Sequence, residues 1–378
     1  MINVKDFGAQ GNGTTDDTTS VQNAIEKLEE NKGGLLYFPK GTYILSKQLK
    51  IQNVSIRITG DGKSMTFLKW IKLDGGIFFE ETVSKIDYEL NTFSMEHISL
   101  ITTQAPTPQQ THTAITLKFN PLLIAYQRYN IQNVQIAGNS TYLRTDNYSM
   151  WKTGIHSING WGANINNVEI FGSEGRLKTH SAETKQYKGI LFEGTAHGGL
   201  TRTFVSNTYI NFTGQGISCE SSEGHYISNF EFVGVWVGIN ATSNFVVEVT
   251  NGHIDFAEFG INAKEVSALK VNNCTLLKSA WVTPSIPGNG ITLTACTDST
   301  IIGNSIINND TNSKGNGIIT ADSNMLLVTN NNVRGFRDFS FCLIGTRNQN
   351  TSFIGNISMQ GTGGGQFYGS PDINEYNI

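Results

Sequence analysis

The sequence predicts an all-β fold, a right-handed parallel β-helix with a short N-terminal capping α-helix. A Gly-Ile pair recurs from residue 154 onward, at Gly154, Gly189, Gly216, Gly238, Gly260, Gly290 and Gly317. Each repeat also holds an Asn before a short strand rich in Val, Ile, Phe and Thr. The shortest spacing, from Gly216 to Gly238, is 22 residues, which is too short for a strand-helix-strand crossover but suits one coil of a solenoid.

The repeated Asn marks a turn in each coil. Its side chain tolerates a left-handed backbone and bonds locally, and stacked copies can form a ladder. Stacked coils share one apolar core that a single coil cannot form, and parallel crossovers are right-handed. The aligned positions are Asn133, Asn167, Asn207, Asn229, Asn251, Asn273, Asn304, Asn330 and Asn356.

The stretch GAQGNGTTDDTTS, Gly8 to Ser20, precedes a predicted helix that closes the N-terminal end of the core. Its apolar face is formed by Val21, Ala24, Ile25 and Leu28. We expect Asp16 and Asp17 to cap this helix, and Thr19 and Gln22 have capping-box spacing. The predicted domains are therefore residues 1–34, with the strand, Gly-rich loop and capping helix, and residues 35–378, one continuous β-helix.

Composition narrows the functional classes. The net charge is -4 and no block of Lys or Arg occurs, so a nucleic-acid partner is not expected. No run of 18 apolar residues and no N-terminal signal segment is present, so we expect no membrane span. Without a CxxC pair, we interpret the cysteines as small core residues: Cys219, Cys274, Cys296 and Cys342. We expect neither a cofactor nor a metal.

Three sequence blocks within about residues 3–68 resemble the N-terminal signature of the pectate-lyase-like superfamily. They are NVKDFGAQGNGTTDDTTSVQNAI, GGLLYFPKGTYIL and ITGDGKSMTFL. The resemblance is strongest to the branch of bacteriophage tailspikes and related polysaccharide-degrading proteins. It implies a right-handed parallel β-helix, a homotrimer, and a bacterial surface polysaccharide (capsule, O-antigen or exopolysaccharide) as partner. It also implies a virion tail or a secreted location, with extracellular action. Because that branch includes hydrolases, lyases, epimerases and non-enzymatic proteins, the reaction stays open.

The strands after the Asn turns predict two outward rows. Alternation places the first and third residues in the core and the second and fourth outside. The second positions are Gln135, Glu169, Tyr209, Glu231, His253 and Thr275. The fourth positions are Phe171, Asn211, Val233, Asp255 and Leu277.

These rows contain the candidate catalytic residues of a glycoside hydrolase, which needs two carboxyl groups. Glu231 and Asp255 lie one coil apart and two residues along, roughly 8 Å, within the range of inverting enzymes. Glu169 lies two coils from Glu231, on the order of 9.6 Å, and is the substitute partner. Tyr209 and His253 would position the sugar or tune the acids.

A second row follows the Gly-Ile pairs. There Glu193 and Glu220 are predicted to stack at roughly 5 Å, the separation of a retaining pair, which should raise the pKa of one of them. Trp236 and Tyr226 are candidate sugar-stacking residues, and Glu258 is a turn candidate. Long excursions are predicted at 139–153, 173–188 and 280–288, and the first two carry basic and aromatic side chains that suit glycan binding.

Two other functions remain open. A polysaccharide lyase acting on a uronate would use His253 and Tyr209 as base and acid, with a Lys or Ca²⁺ neutralising the carboxylate. The row offers only Lys264 nearby and no dense Asp cluster, which favours hydrolysis. The third reading is a non-catalytic, glycan-binding or structural β-helix.

Overall fold

The computed structural model describes residues 1–82, 91–107, 109–121, 128–139, 149–178, 184–194, 202–280, 286–310, 313–345, 348–359, 365–368 and 373–375. The described residues form 34 strands that pair in parallel from coil to coil, which confirms the predicted parallel β-helix. Tyr142, Arg144 and Trp281, which belong to the predicted excursions, lie outside the described residues.

The strands of the first half are β1 Ile2–Asn3, β2 Asn12–Asp16, β3 Gly34–Phe38, β4 Gly41–Leu45, β5 Leu49–Gln52, β6 Ile56–Gly60, β7 Thr66–Trp70, β8 Ile77–Glu80, β9 Phe93–Thr102, β10 Thr113–Lys118, β11 Tyr129–Gly138, β12 Thr153–Ile158, β13 Ala163–Phe171, β14 Lys188–Glu193, β15 Thr203–Ser206, β16 Tyr209–Asn211 and β17 Gln215–Glu220. The second half has β18 His225–Ser228, β19 Glu231–Asn244, β20 Val247–Thr250, β21 His253–Val266, β22 Leu269–Asn272, β23 Thr275–Lys278, β24 Asn289–Thr294, β25 Thr297–Ile302, β26 Ser305–Asn308, β27 Ile318–Ala321, β28 Asn324–Thr329, β29 Asn332–Arg334, β30 Phe339–Ile344, β31 Thr351–Ile354, β32 Ile357–Met359, β33 Gly365–Tyr368 and β34 Ile373–Glu375. The helices are α1 Thr18–Glu30, α2 Glu174–Lys178 and two 3-10 turns, Val4–Phe7 and Thr184–Gln186.

Each coil contributes to three parallel sheets. Sheet A holds the strands before the Asn turn, such as β15, β18 and β20. Sheet B holds the strands after it, such as β16 and β23, and sheet C those that begin at the Gly-Ile pair, such as β14 and β17. The long strands β19 and β21 run from sheet B into sheet C.

The core is a set of stacked apolar columns. On sheet B, Ile210, Phe232, Ile254 and Leu276 are partners in register and all are fully buried. The Gly-Ile repeat has a steric origin next to this column. A Cβ on Gly238 would lie 2.4 Å from the carbonyl oxygen of Gly260 and 2.5 Å from Cγ2 of Ile254. Only glycine therefore lets sheet C begin this close to sheet B.

The predicted Asn turns are present, with one correction. Asn207, Asn229 and Asn251 have φ of 50°, 51° and 53°, the left-handed conformation that Asn tolerates. Asn304 and Asn356 do not continue this series, because Gly303 and Gly355 take the left-handed position in their coils. The alignment misplaced these two residues by one, since only the structure shows which residue turns.

Asn304, Asn331 and Asn356 instead form a buried amide ladder inside the turns. Nδ2 of Asn304 donates to Oδ1 of Asn331 at 2.9 Å, and Nδ2 of Asn331 donates to Oδ1 of Asn356 at 3.0 Å. Each Asn is at most 1% exposed. The ladder also binds backbone groups, for example through the amide N–H of Asn304, which donates to Asn331 at 3.0 Å. It satisfies buried backbone groups that the sheets leave unpaired at this corner.

Helix α1 packs the predicted face, with Val21, Ala24, Ile25 and Leu28 buried, on the first coil. Asp17 occupies the predicted N-cap position of α1, but its side chain makes no capping hydrogen bond, whereas that of Asp16 does. Oδ1 of Asp16 accepts from the amide of Thr18, the first helical residue, at 3.0 Å. The Asp17 carboxylate instead accepts from the amides of Gln10 at 2.6 Å and Gly11 at 3.0 Å, which closes the Gly-rich loop. The side chain of Gln22 binds the backbone of Lys50 and so forms no capping box.

The four cysteines are free and buried, which confirms their interpretation as core residues. Among the described residues, no helix combines the length and the apolar character needed to cross a bilayer.

We predict that Asn331→Ala destabilises the protein far more than Asn330→Gly. The first change removes the ladder and leaves buried groups of neighbouring turns unbonded, so it should lower the free energy of unfolding by roughly 2–4 kcal/mol. Asn330 is exposed and left-handed, with φ of 56°, and glycine adopts that backbone freely, so its replacement should change stability by a few tenths of a kcal/mol, roughly. Denaturant melts of both variants provide the measurement, and equal losses would contradict the ladder's role.

Two buried histidines predict acid sensitivity. His225 is fully buried and bonds Ser222 Oγ at 2.7 Å, and burial lowers its pKa to about 3. Burial likewise lowers the pKa of His112, which contacts Thr102 Oγ1 at 2.7 Å, to about 4. The ordinary value is 6.5, so the unfolded chain binds protons that the folded imidazoles exclude.

Unfolding free energy should therefore be steady above about pH 6.5 and fall as the pH drops towards 4, by about 1.4 kcal/mol per pH unit for each such histidine. Urea melts at several pH values measure this slope. His225→Gln should be less stable than the parent at neutral pH, yet lose less stability between about pH 6.5 and 5. An unchanged slope in this variant would refute the assignment.

Candidate active site

The outer face of sheet B carries one continuous row of side chains. Strand register places its members directly opposite one another across successive coils. In order they are Thr42, Phe67, Ser99, Gln135, Glu169, Tyr209, Glu231, His253 and Thr275. The predicted row from Gln135 to Thr275 is therefore present, and it extends upstream into the N-terminal coils. We call this set of residues the sheet B row.

Glu231 lies in the middle of the sheet B row. It is exposed, and its carboxylate makes no hydrogen bond or ion pair within the described part of the chain. Its register partners are Tyr209 on one side and His253 on the other, each about 4.8 Å away across the sheet. A carboxylate, a phenol and an imidazole are thus presented together to solvent.

Tyr209 is held in place on the row. Its ring lies 5.7 Å from the ring of Phe171, and its Oη accepts from Nδ2 of Asn211 at 3.4 Å. Phe171 and Asn211 belong to the predicted fourth-position row, so the two rows support each other. This arrangement leaves the phenol half-buried beside Glu231.

Glu169 is in the row but already has partners. Lys63 forms an ion pair with its Oε1, and Nε2 of Gln135 donates to its Oε2 at 3.0 Å. The side chains of Lys63 and Glu169 are 30% and 28% exposed, so a ligand can still reach the pair. Its partners fix the Glu169 carboxylate, which makes it a better positioning group than a proton donor.

Asp255 lies two residues beyond His253, opposite an irregularity in the neighbouring strand. Residues Phe232 and Val235 of β19 pair with Ile254 and Phe256, so the two residues between them, which include Gly234 with φ of 66°, bulge against Asp255. Bulges re-aim side chains and are common beside active sites. Asp255 is half-buried.

A buried ion pair lies on the next strand. Nζ of Lys278 is 3.4 Å from Oδ2 of Asp310, and both side chains are at most 2% exposed. Burial lowers the pKa of Lys278, whereas Asp310 and Asp255 act to raise it. Asp255 is therefore in a less aqueous setting than Glu231, close enough to interact with this lysine.

The second predicted pair, Glu193 and Glu220, is in register on sheet C, but each carboxylate has a basic partner. Nε2 of His156 is 2.8 Å from Oε2 of Glu193, and Lys188 donates to Glu220. The expected rise in pKa is wrong for Glu220. Burial alone would raise its pKa, but the hydrogen bond and charge of Lys188 outweigh this and lower it. Glu220 is thus kept ionised by Lys188 and is poorly suited to donate a proton.

Three other candidates lie away from the row. Trp236 is fully buried and packs with Leu177 and Ala257, so it offers no face to a sugar. Glu258 forms an ion pair with Lys185 at 2.6 Å, and the Lys185 ammonium lies 5.5 Å from the Trp236 ring centroid, which ties the turn Thr184–Gln186 to this coil corner. 

Tyr226 lies on a different face of the β-helix from the sheet B row. It lies on sheet A, where it stacks on Phe204 with centroids 5.2 Å apart. Each of these two rings covers a face of the other, which reduces the aromatic surface left for a sugar.

The basic partners were missed by the sequence reasoning. Lys63 precedes Glu169 by 106 residues and lies in a loop, where no periodicity points to it. His156 could have been found, because it is in the strand of the GIHSI repeat directly before that of Glu193.

Proteins of known sequence and structure share this architecture. The profile of the family described as "Rhamnogalacturonase A/epimerase, pectate lyase-like" matches residues 1–279. The chain belongs to this family. The matched residues include the sheet B row from Thr42 to Thr275.

A curated relative shares only a short segment with this pectate-lyase-like chain. A probable glucan endo-1,3-beta-glucosidase of Arthroderma benhamiae is 42% identical over 76 residues, which cover 18% of this chain and 8% of that protein. The chain thus spans a small fraction of the length of this relative.

Two solved structures show the same fold over the whole chain. The A-module of the mannuronan C-5 epimerase AlgE6 of Azotobacter vinelandii has a TM-score of 0.68 at 16% identity, covering 100% of this chain and 99% of that one. Tailspike protein 3 of bacteriophage CBA120 has a TM-score of 0.57 at 12% identity, covering 100% of this chain and 59% of that one. The named relatives include a glucosidase, an epimerase and a tailspike, so the family membership leaves the reaction to be argued from the site.

We predict that Trp236→Ala destabilises the coil corner where Trp236 packs with Leu177 and Ala257, rather than removing a sugar contact. Truncating a fully buried Trp should lower the free energy of unfolding by roughly 3–5 kcal/mol. Trp236→Phe, which keeps most of the packing, should retain the parent affinity for any glycan that the protein binds. Thermal melts and glycan binding of both variants test this. A folded Trp236→Phe variant with strongly weakened glycan binding would contradict the prediction and support a direct contact between Trp236 and sugar.

Proposed function

We propose that the protein is a glycoside hydrolase that cuts a polysaccharide on the outer face of sheet B, with Glu231 at its centre. The observation that carries the proposal is the Glu231 carboxylate, which is exposed, has no partner among the described residues and lies between Tyr209 and His253. The other predicted carboxylates whose contacts are described are each bonded to a lysine or a histidine. They are Glu169, Glu193, Glu220 and Glu258.

Glu231 and Asp255 form the acid/base pair. Their backbone positions are separated by one coil and two residues, roughly 8 Å. Carboxyl groups at a similar separation would leave room for the water molecule of an inverting reaction. The exposed Glu231 suits a base that activates water. We assign the protonation of the leaving oxygen to the half-buried Asp255, the other carboxyl of this pair.

The neighbouring groups orient the substrate. The hydroxyl of Tyr209 and the imidazole of His253 can bond sugar hydroxyls on both sides of the scissile bond. Glu169, fixed by Lys63 and Gln135, adds an acceptor farther along the row and is the substitute partner of Glu231. The sugar chain would then run along the helix axis.

We further propose a biological setting. The substrate is a bacterial surface polysaccharide, and the protein acts outside the cell as a homotrimer, on a virion tail or after secretion. The fold shared with a phage tailspike supports this setting.

A uronate lyase is the second candidate, because one observation favours it. Tyr209 and His253 both flank the central position, and Lys63 supplies a cation on the same face. One of these side chains would remove the proton α to the carboxylate, and the cation would neutralise the charge that develops.

We predict that Glu231→Gln and Asp255→Asn each lower hydrolysis by at least about a hundredfold, since each removes a general acid or base. The measurement is the release of reducing ends from a panel of bacterial polysaccharides. Glu248→Gln, on the outer face of sheet A, is the matched control and should keep the parent rate.

Full activity of both variants would reject the assignment. Products that absorb in the ultraviolet as unsaturated uronates would identify the lyase. A polymer that is bound but keeps its size would identify a non-catalytic glycan-binding protein.

A further inference from the structure

A pocket of about 400 Å³ lies on the same face, at the N-terminal end of the sheet B row. Its lining includes Phe67 and Lys69 of β7, together with Lys63 and Ser64 from the loop before that strand. Its volume is within the usual range for small-molecule sites. Three of these residues, Lys63, Ser64 and Phe67, belong to the block ITGDGKSMTFL, which otherwise serves only to indicate the fold.

Charge decides what the pocket can hold. Among the described residues that line it, two are lysines and none is Asp or Glu. Lys63 is paired with Glu169, whereas Lys69 makes no hydrogen bond or ion pair within the described residues. Asp16, two strands from Lys69 in register, is engaged by Thr18. The pocket thus holds an unneutralised cation on a protein whose net charge is -4.

The remaining lining suits a sugar ring. Phe67 is half-buried and points outward, so part of its ring can contact the apolar face of a sugar. Ser64, Thr42 and Gln135 offer hydroxyl and amide groups for sugar hydroxyls. A lysine beside an aromatic ring and several polar groups matches one sugar unit that carries an anionic substituent.

Register places the pocket at a defined distance from Glu231. Gln135, which lines the pocket, is three coils from Glu231, or about 14 Å along the axis of the β-helix. We propose that this pocket is a distal subsite that binds an acidic sugar of the polysaccharide, with the Lys69 ammonium as the ligand of its carboxylate or sulfate. The inference takes the ligand class, a polysaccharide, from the proposed function, and adds that the glycan is acidic.

Binding to polymers tests the subsite separately from catalysis. The protein carrying Glu231→Gln, which prevents cutting, is run on native gels containing alginate, iota-carrageenan or a neutral β-1,3-glucan. At least one of the acidic polymers should retard it, and the neutral glucan should not. Retardation by alginate would indicate a carboxylate ligand, and retardation by iota-carrageenan a sulfate ligand.

Adding Lys69→Met should weaken the retardation about tenfold in apparent affinity, because one charge-assisted contact is lost. Lys69→Arg should restore most of it. Lys270→Met, which removes an exposed lysine on sheet A, is the matched control for the loss of one positive charge and should bind as the parent does. Equal thermal melts show that the variants are folded.

Three results would overturn the inference: no retardation by either acidic polymer, unchanged binding after Lys69→Met, or equal binding of the neutral glucan. The two proposals fail separately. A Glu231→Gln variant that still cuts polysaccharide rejects the catalytic assignment, whereas Lys69-dependent binding of an acidic polymer stands without any cleavage.

Discussion

The in-register stacking of coils is the constraint on which the rest of this structure depends. Each inward column, such as Ile210, Phe232, Ile254 and Leu276, is fully buried, so a slip of one residue would turn an apolar column outward. The same register fixes the outward face. Glu231 lies opposite Tyr209 and His253 because the adjacent core residues, Phe232, Ile210 and Ile254, pair in the same register.

The carboxylates on the outer faces differ in whether they are ion-paired. Glu169, Glu193, Glu220 and Glu258 are each tied to a lysine or a histidine, and these pairs hold loops and strands in place. Glu231 is left without such a partner among the described residues. An acidic side chain that has no structural task on a rigid face is the one best suited to chemistry.

The sequence predicted those features that repeat. The coil, the left-handed Asn turns, α1 and the row from Gln135 to Thr275 follow from spacing and alternation, which are local rules. It failed where contacts join distant segments or shift by one residue. Three features depend on how a loop or turn folds back, which neither spacing nor alternation records. They are the pairing of Lys63 with Glu169, the burial of Trp236 beside Leu177, and the inward ladder of Asn304 and Asn356.

The coil spacing gives this surface a built-in length scale. The Lys69 pocket and Glu231 lie on the same row, and only whole coils can be added or lost between them without disturbing the core. The distance between the proposed subsite and Glu231 can therefore change only in steps of one strand spacing, about 4.8 Å. On the proposed function, a related solenoid with one coil more or fewer between these two points would therefore suit a sugar chain of different length.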